Sequence, residues 1–112
     1  MKQYITVEQL KEADDLQLKE ICHIFNFQNL QTNMEWIYIS QELTIGNMIE
    51  ILNNKSNGGI KIKQSFDTFA EILDGWQINF MIIKVDNMIE YNSKVRIELV
   101  DALWESVKVI LK

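Results

Sequence analysis

RIELVDALWESVKVILK, residues 96–112, is the stretch on which the reading of this chain turns. Ile97, Val100, Leu103, Trp104, Val107, Ile110 and Leu111 recur at three- and four-residue spacing, with Glu98, Asp101, Glu105, Lys108 and Lys112 between them. At 3.6 residues per turn the apolar set forms one side of an amphipathic helix of about four turns. Val100, Leu103, Trp104 and Val107 are therefore expected to be buried, and Glu98, Asp101 and Glu105 exposed. A helix of this kind is stable only against a partner surface, so the remaining elements must supply one.

Working outward from it, Ser93 or Asn92 is the expected cap. Before that, Gln77 to Val85 is apolar on both faces and reads as a central strand, with a turn at Asp86-Asn87 and a shorter strand at Met88 to Tyr91. Ile60 to Lys63 alternates apolar and basic residues, the pattern of a half-buried strand. Between them, Phe66, Phe69, Ala70 and Leu73 have helical spacing with Gly75 as a stop, although the same residues suit a strand equally well, and 66–74 stays open between the two. Thr44 caps a helix with Ile45, Met48, Ile49 and Leu52 as its stripe and Leu43 and Met48 as a staple pair; Asn53 to Gly59 ends it. Glu35 to Ser40 alternates, with Trp36 and Tyr38 on one side and Ile37 and Ile39 on the other, and reads as a strand after a polar loop at 26–33. Thr6 with Gln9, and Asp14 with Gln17, have capping-box spacing for helices at 7–13 and 15–25; Ile5 and Leu10 form a staple for the first. The sum is α+β: three or four helices packed on a small, mostly antiparallel sheet.

The chain has 112 residues, 47% of them hydrophobic, with no proline and four glycines, which suits a single domain over 1–112 with its own core. A formal charge of -5 disfavours a general nucleic-acid binder, whose affinity rests on basic phosphate contacts. Residues 26–54 carry Glu35, Glu42 and Glu50 and no lysine or arginine, and Lys55, Lys61 and Lys63 follow at once. Three clustered lysines on an acidic molecule offer duplex DNA a weak, salt-sensitive contact at best. Cys22 is the single cysteine, so no internal disulfide is possible, and a reducing cytoplasm is expected. No leader is expected, and no membrane span: the longest purely apolar run, Phe80 to Ile83, is far below the roughly 20 residues a spanning helix needs.

Chemistry-bearing residues are sparse. Cys22 and His23 are adjacent, and adjacent helical residues point about 100° apart, so a nucleophile–base pair is not expected. Cys22 also falls on the stripe of Leu18 and Phe25, where a thiol is buried and inert. One cysteine and one histidine do not make a typical structural zinc site, and no acidic calcium loop is present, so neither metal nor cofactor is expected. Asp101 and Glu105 lie one turn apart but on the polar helix face, where Glu105 and Lys108 pair. Gly58-Gly59 lacks a phosphate-loop context and reads as a turn. Lys61 and Lys63 read as a charged strand face that discourages edge pairing, or as a small anion patch. Trp36, Trp76 and Trp104 read as anchors, with Trp76, just after a glycine, the candidate for an exposed contact residue.

Three segments carry a resemblance: YITVEQL at 4–10, TIGNMIEIL at 44–52 and LVDALWESVKVIL at 99–111, together about a quarter of the chain. The chain resembles a family of small uncharacterised proteins encoded in phages and prophages of low-GC Gram-positive bacteria. The resemblance implies little about function, since it brings no assigned activity and no catalytic residues; a phage accessory protein is the expectation that accompanies it. The functional expectation is a non-enzymatic protein-binding module, in sharper form an inhibitor of a host enzyme or defence system, with Trp76, Lys61 and Lys63 as partner-binding residues. It would bind a protein, not duplex nucleic acid or a membrane. Two other readings are a small enzyme or ligand binder with a pocket of convergent polar groups, and a structural homo-oligomer; a flat apolar patch favours the binding module over the former.

Overall fold

Thr6, Asp14 and Thr44, three of the short polar residues expected to cap helices, do start them in the structure. The computed structural model describes residues 2–67 and 72–112. In chain order its elements are α1 (Val7–Leu10), α2 (Asp15–Ile24), α3 (Asn33–Glu42), α4 (Ile45–Lys55), β1 (Asn57–Asp67), β2 (Ile72–Lys84), β3 (Asn87–Asn92) and α5 (Leu99–Ile110). Thr6 and Asp14 close capping boxes with Gln9 and Gln17, and Thr44 caps α4. Both staple pairs, Ile5 with Leu10 and Leu43 with Met48, are completely buried.

Residues Glu35 to Ser40 are not a strand; they are the middle of α3. Thr32 Oγ1 accepts from Glu35 N at 3.2 Å, and the Glu35 carboxylate accepts from Thr32 N at 2.9 Å, a third capping box. On the resulting helix Ile39 and Leu43 are wholly buried, Trp36 packs half-buried beside them, and Met34, Ile37 and Tyr38 face solvent. A four-residue apolar run, Trp36 to Ile39, satisfies both periods, and the cap decides between them.

The sheet is antiparallel with order β1-β2-β3, so the expected central strand is central. The choice left open across 66–74 falls to strand where the chain is described: Phe66 and Asp67 end β1, and Ile72 and Leu73 open β2 opposite them. Phe69 and Ala70 lie outside the described residues. Gly75 is therefore no helix stop. It lies within β2 where residues 93–98 cross back onto the sheet, joined by Trp76 N to Arg96 O at 2.7 Å and Arg96 N to Trp76 O at 2.9 Å. A Cβ on Gly75 would stand 2.3 Å from the Arg96 carbonyl oxygen, so the close backbone approach requires glycine.

That crossing also moves the start of the last helix. Ser93 is not a cap: its buried hydroxyl accepts from Ile78 N at 2.8 Å and donates to Lys94 O at 3.0 Å. Nor is Asn92, which ends β3; Glu98 occupies the N-cap position and makes no side-chain cap bond. Ile97 precedes the helix and is exposed.

α4 and α5 pack together and against the sheet, and α1, α2 and α3 close around them, so that one continuous core includes Ile21, Ile39, Leu52, Ile78, Leu103 and Trp104. Val100, Leu103, Trp104 and Val107 are buried as predicted. Glu98, Asp101 and Glu105 are half-buried instead of exposed, because other segments reach over the polar side of α5. Lys2 Nζ and Gln9 Nε2 bond the Asp101 carboxylate at 2.9 and 2.7 Å, and Arg96 meets Glu105 at 3.2 Å. Both capping-box glutamines do double service here. Each accepts the N-cap amide with its oxygen and gives its nitrogen to α5, Gln9 to Asp101 and the buried Gln17 to the Lys108 carbonyl.

Candidate functional site

Alternation along β2 gives the sheet two unlike faces. Ile78 and Phe80 point to the helices and are buried, whereas Asn79, Met81 and Ile83 belong to the other face, which no helix among the described elements covers. Cross-strand register sets Lys61 and Asn92 beside Asn79, Glu90 beside Met81, and Met88 beside Ile83. Lys61 and Lys63 are exposed on this open face, as expected of a charged strand. Trp76 lies apart from them: it is half-buried and packs against the core, so the structure does not bring the three predicted contact residues together.

Towards its turn the β2–β3 hairpin becomes apolar on both sides. The turn is Val85-Asp86, one residue earlier than expected, with Val85 98% exposed. Ile83, Met88 and Ile89 are exposed beside it. β3, with sequence NMIEYN, is an outer strand with solvent on most of its length and neither lysine nor proline. The opposite outer strand, β1, carries Lys61, Lys63 and a bulge, devices that discourage strand addition. A second exposed apolar group, Met34, Ile37 and Tyr38, lies on α3, where Phe27 stacks on Tyr38 at 5.5 Å.

The bulge follows from Gly58-Gly59. Register slips between Asn57 and Ile60, both glycines have positive φ (+87° and +83°), and Asn53 at the end of α4 holds the start of the strand by accepting from Ile60 N at 3.0 Å. Beneath it is a shallow cavity of about 160 Å³ lined by Gly58, Gly59, Lys61, Asn79, Met81 and Glu90, among others. Asn79 is 8% exposed, and its Oδ1 is buried without a hydrogen-bond partner.

The remaining candidates resolve into structure. Cys22 is buried, and desolvation, helped by the charge of Glu35, pushes its thiol up; His23 beside it is exposed. Asp101 and Glu105 are held by different partners. Burial pushes the Asp101 carboxyl up, but bonds from Lys2 and Gln9 outweigh it and hold it below the usual carboxylate range. Glu12 is lowered by its bond to Lys108, at 2.7 Å, against some desolvation, and it also accepts from the Trp104 indole. Among the described residues no three histidine, cysteine or acidic side chains are grouped to hold a metal, and no helix is long and apolar enough to cross a membrane.

The fold class is thus α+β, with helices on one side of a three-stranded antiparallel sheet. Comparison with protein-family models, curated proteins and solved structures finds no match to this chain.

Asn79 and the hairpin end are the functional candidates that sequence reasoning passed over. Both left a signal: a single asparagine inside the apolar run Gln77 to Val85, and a glycine pair next to an alternating strand, which marks a bulge as readily as a turn.

Proposed function

We propose that this chain is a non-enzymatic protein-binding module that docks through the free end of the β2–β3 hairpin. The observation that carries the reading is the contrast between the two outer strands. β1 is defended by lysines and a bulge, while β3 exposes its edge beside Ile83, Val85, Met88 and Ile89. An undefended edge with exposed apolar side chains on both faces is suited to accept an extended segment of another protein, whose backbone completes the ladder. A protein is the expected partner, not duplex DNA, because the basic residues of the sheet are few on a molecule of charge -5. The resemblance in residues 4–10, 44–52 and 99–111 supports the narrower role of a phage or prophage accessory protein acting in the cytoplasm on a host enzyme or defence component.

The test is capture from a lysate of a low-GC Gram-positive bacterium with the wild-type chain and with Val85→Asp/Ile89→Lys in parallel, circular dichroism confirming equal folding. One protein retained by the wild type and lost with the variant is expected. Equal capture by both, or by neither, would overturn the assignment to the hairpin. The same edge favours self-pairing as a second reading, since two copies of β3 can align antiparallel about a two-fold axis. A dimer mass in solution that reverts to monomer in the variant would select it.

A further inference from the structure

We propose that the cavity under the Gly58–Gly59 bulge is a binding site for a small zwitterion of the α-amino-acid class. A buried amide oxygen without a donor costs about 1–3 kcal/mol, so an orphaned Asn79 Oδ1 is a position that a ligand N–H relieves. Among the described residues only Ser56 Oγ shares this condition among buried side-chain polar atoms, and Ser56 immediately precedes β1 and its bulge. The two unsatisfied groups thus border one feature of the fold.

Charge selects the ligand. Lys61 stands directly across from Asn79 on β1, and Glu90 stands across from Met81 on β3, so a cation and an anion flank the amide from opposite strands. Neither forms an ion pair among the described residues. A ligand with one positive donor and one negative acceptor complements both: its ammonium donates to Asn79 Oδ1 and to the Glu90 carboxylate, and its carboxylate accepts from Lys61 Nζ. A purely cationic or anionic ligand meets one of the two charges as a like charge. Size narrows the class further. A volume of about 160 Å³ is close to that of an engineered cavity that accommodates benzene, which suits an amino acid with a small side chain. The bulge is open at Gly58, where a Cβ would meet no atom within 4 Å. The site shares the open sheet face with the hairpin end but does not rest on partner binding there.

The experiment is a titration of the 15N-labelled chain with L-alanine and L-serine, with acetate and methylamine as single-charge controls, each to about 10 mM, high enough to detect dissociation constants in the millimolar range. Shifts confined to Gly58, Gly59, Lys61 and the Asn79 side-chain amide, saturating for the amino acids and absent for the controls, are expected. Asn79→Leu should abolish the saturating shifts or weaken binding about tenfold or more, a loss of about 1.4 kcal/mol. Should Asn79→Leu fail to fold, the surface double variant Lys61→Ala/Glu90→Gln takes its place with the same expected loss. No shifts with either amino acid, equal shifts with acetate or methylamine, or unchanged binding by the variants would each overturn the proposal.

Discussion

Replacing Gly75 by alanine should be among the most damaging single-methyl additions in this protein. The new Cβ would lie 2.3 Å from Arg96 O and 2.7 Å from Arg96 C, both backbone atoms with no rotamer to yield. Ordinary contact requires the two segments to separate by roughly 1 Å, as van der Waals repulsion rises steeply at shorter range. That separation breaks both hydrogen bonds of the Trp76–Arg96 bridge, now 2.7 and 2.9 Å long. Two such bonds contribute about 1 kcal/mol each, and loosening the Ser93 crossing beside them brings the expected loss to about 2–4 kcal/mol. Urea unfolding followed by far-UV circular dichroism reads this directly, as a lower midpoint at unchanged slope. Gly46→Ala is the matched control: the same methyl, in α4, meets nothing within 4 Å and should be neutral or stabilising by up to about 1 kcal/mol. A Gly75→Ala loss below about 0.5 kcal/mol, within the range of unremarkable surface changes, would refute the close-approach account.

Trp104→Ala should cost about 3–5 kcal/mol, since the indole is 2% exposed, while Trp104→Phe should cost less because a ring still fills most of the site and the losses are a smaller void and the bond to the half-exposed Glu12; equal effects in urea unfolding would contradict this. Gln17→Glu keeps a side chain able to close the capping box but turns a carboxylate oxygen toward the Lys108 carbonyl, so a loss of about 2–3 kcal/mol is expected, and a stabilised variant would show that the cap alone matters. Cys22 should react slowly with a thiol reagent in the folded chain and quickly in urea; rapid native labelling at neutral pH would reopen a reactive role. Asp101 is held below its ordinary pKa, so its contribution is full above the ordinary carboxylate range, near pH 4, and is lost as pH falls through that range towards the folded value. Asp101→Asn should therefore lower the urea midpoint at pH 7 and narrow the gap to wild type in acid; a gap constant from pH 7 to pH 2 would argue against the charge.

What was legible in the sequence was what is decided within one or two helical turns. Thr6, Asp14 and Thr44 begin helices because their side chains satisfy amides three residues away, and the stripe of α5 is buried because its period leaves it no other use. The failures share another cause. Ser93 has the composition of a cap but is used by Ile78 across the sheet, and Gly75 has that of a helix stop but answers to Arg96, 21 residues on. In α3, Trp36 to Ile39 alternates by accident, and the local signal for a helix is the capping box of Thr32 and Glu35. On the candidate site, the lysine face of β1 was readable locally, whereas the isolation of Asn79 Oδ1 depends on what three strands leave unfilled around it.

The paired service of Gln9 and Gln17 bears on how the chain comes to be folded in time. The bonds from Gln9 to Asp101 and from Gln17 to Lys108 span 92 and 91 residues, and those from Glu12 to Trp104 and Lys108 span 92 and 96. A nascent chain therefore exposes α1 and α2 long before the segment that completes them leaves the ribosome. Until α5 arrives, these helices have their caps but no anchorage, and a four-residue α1 has little persistence by itself. Folding of the chain should be late and concerted, with its first and last helices becoming protected from solvent exchange in the same kinetic step.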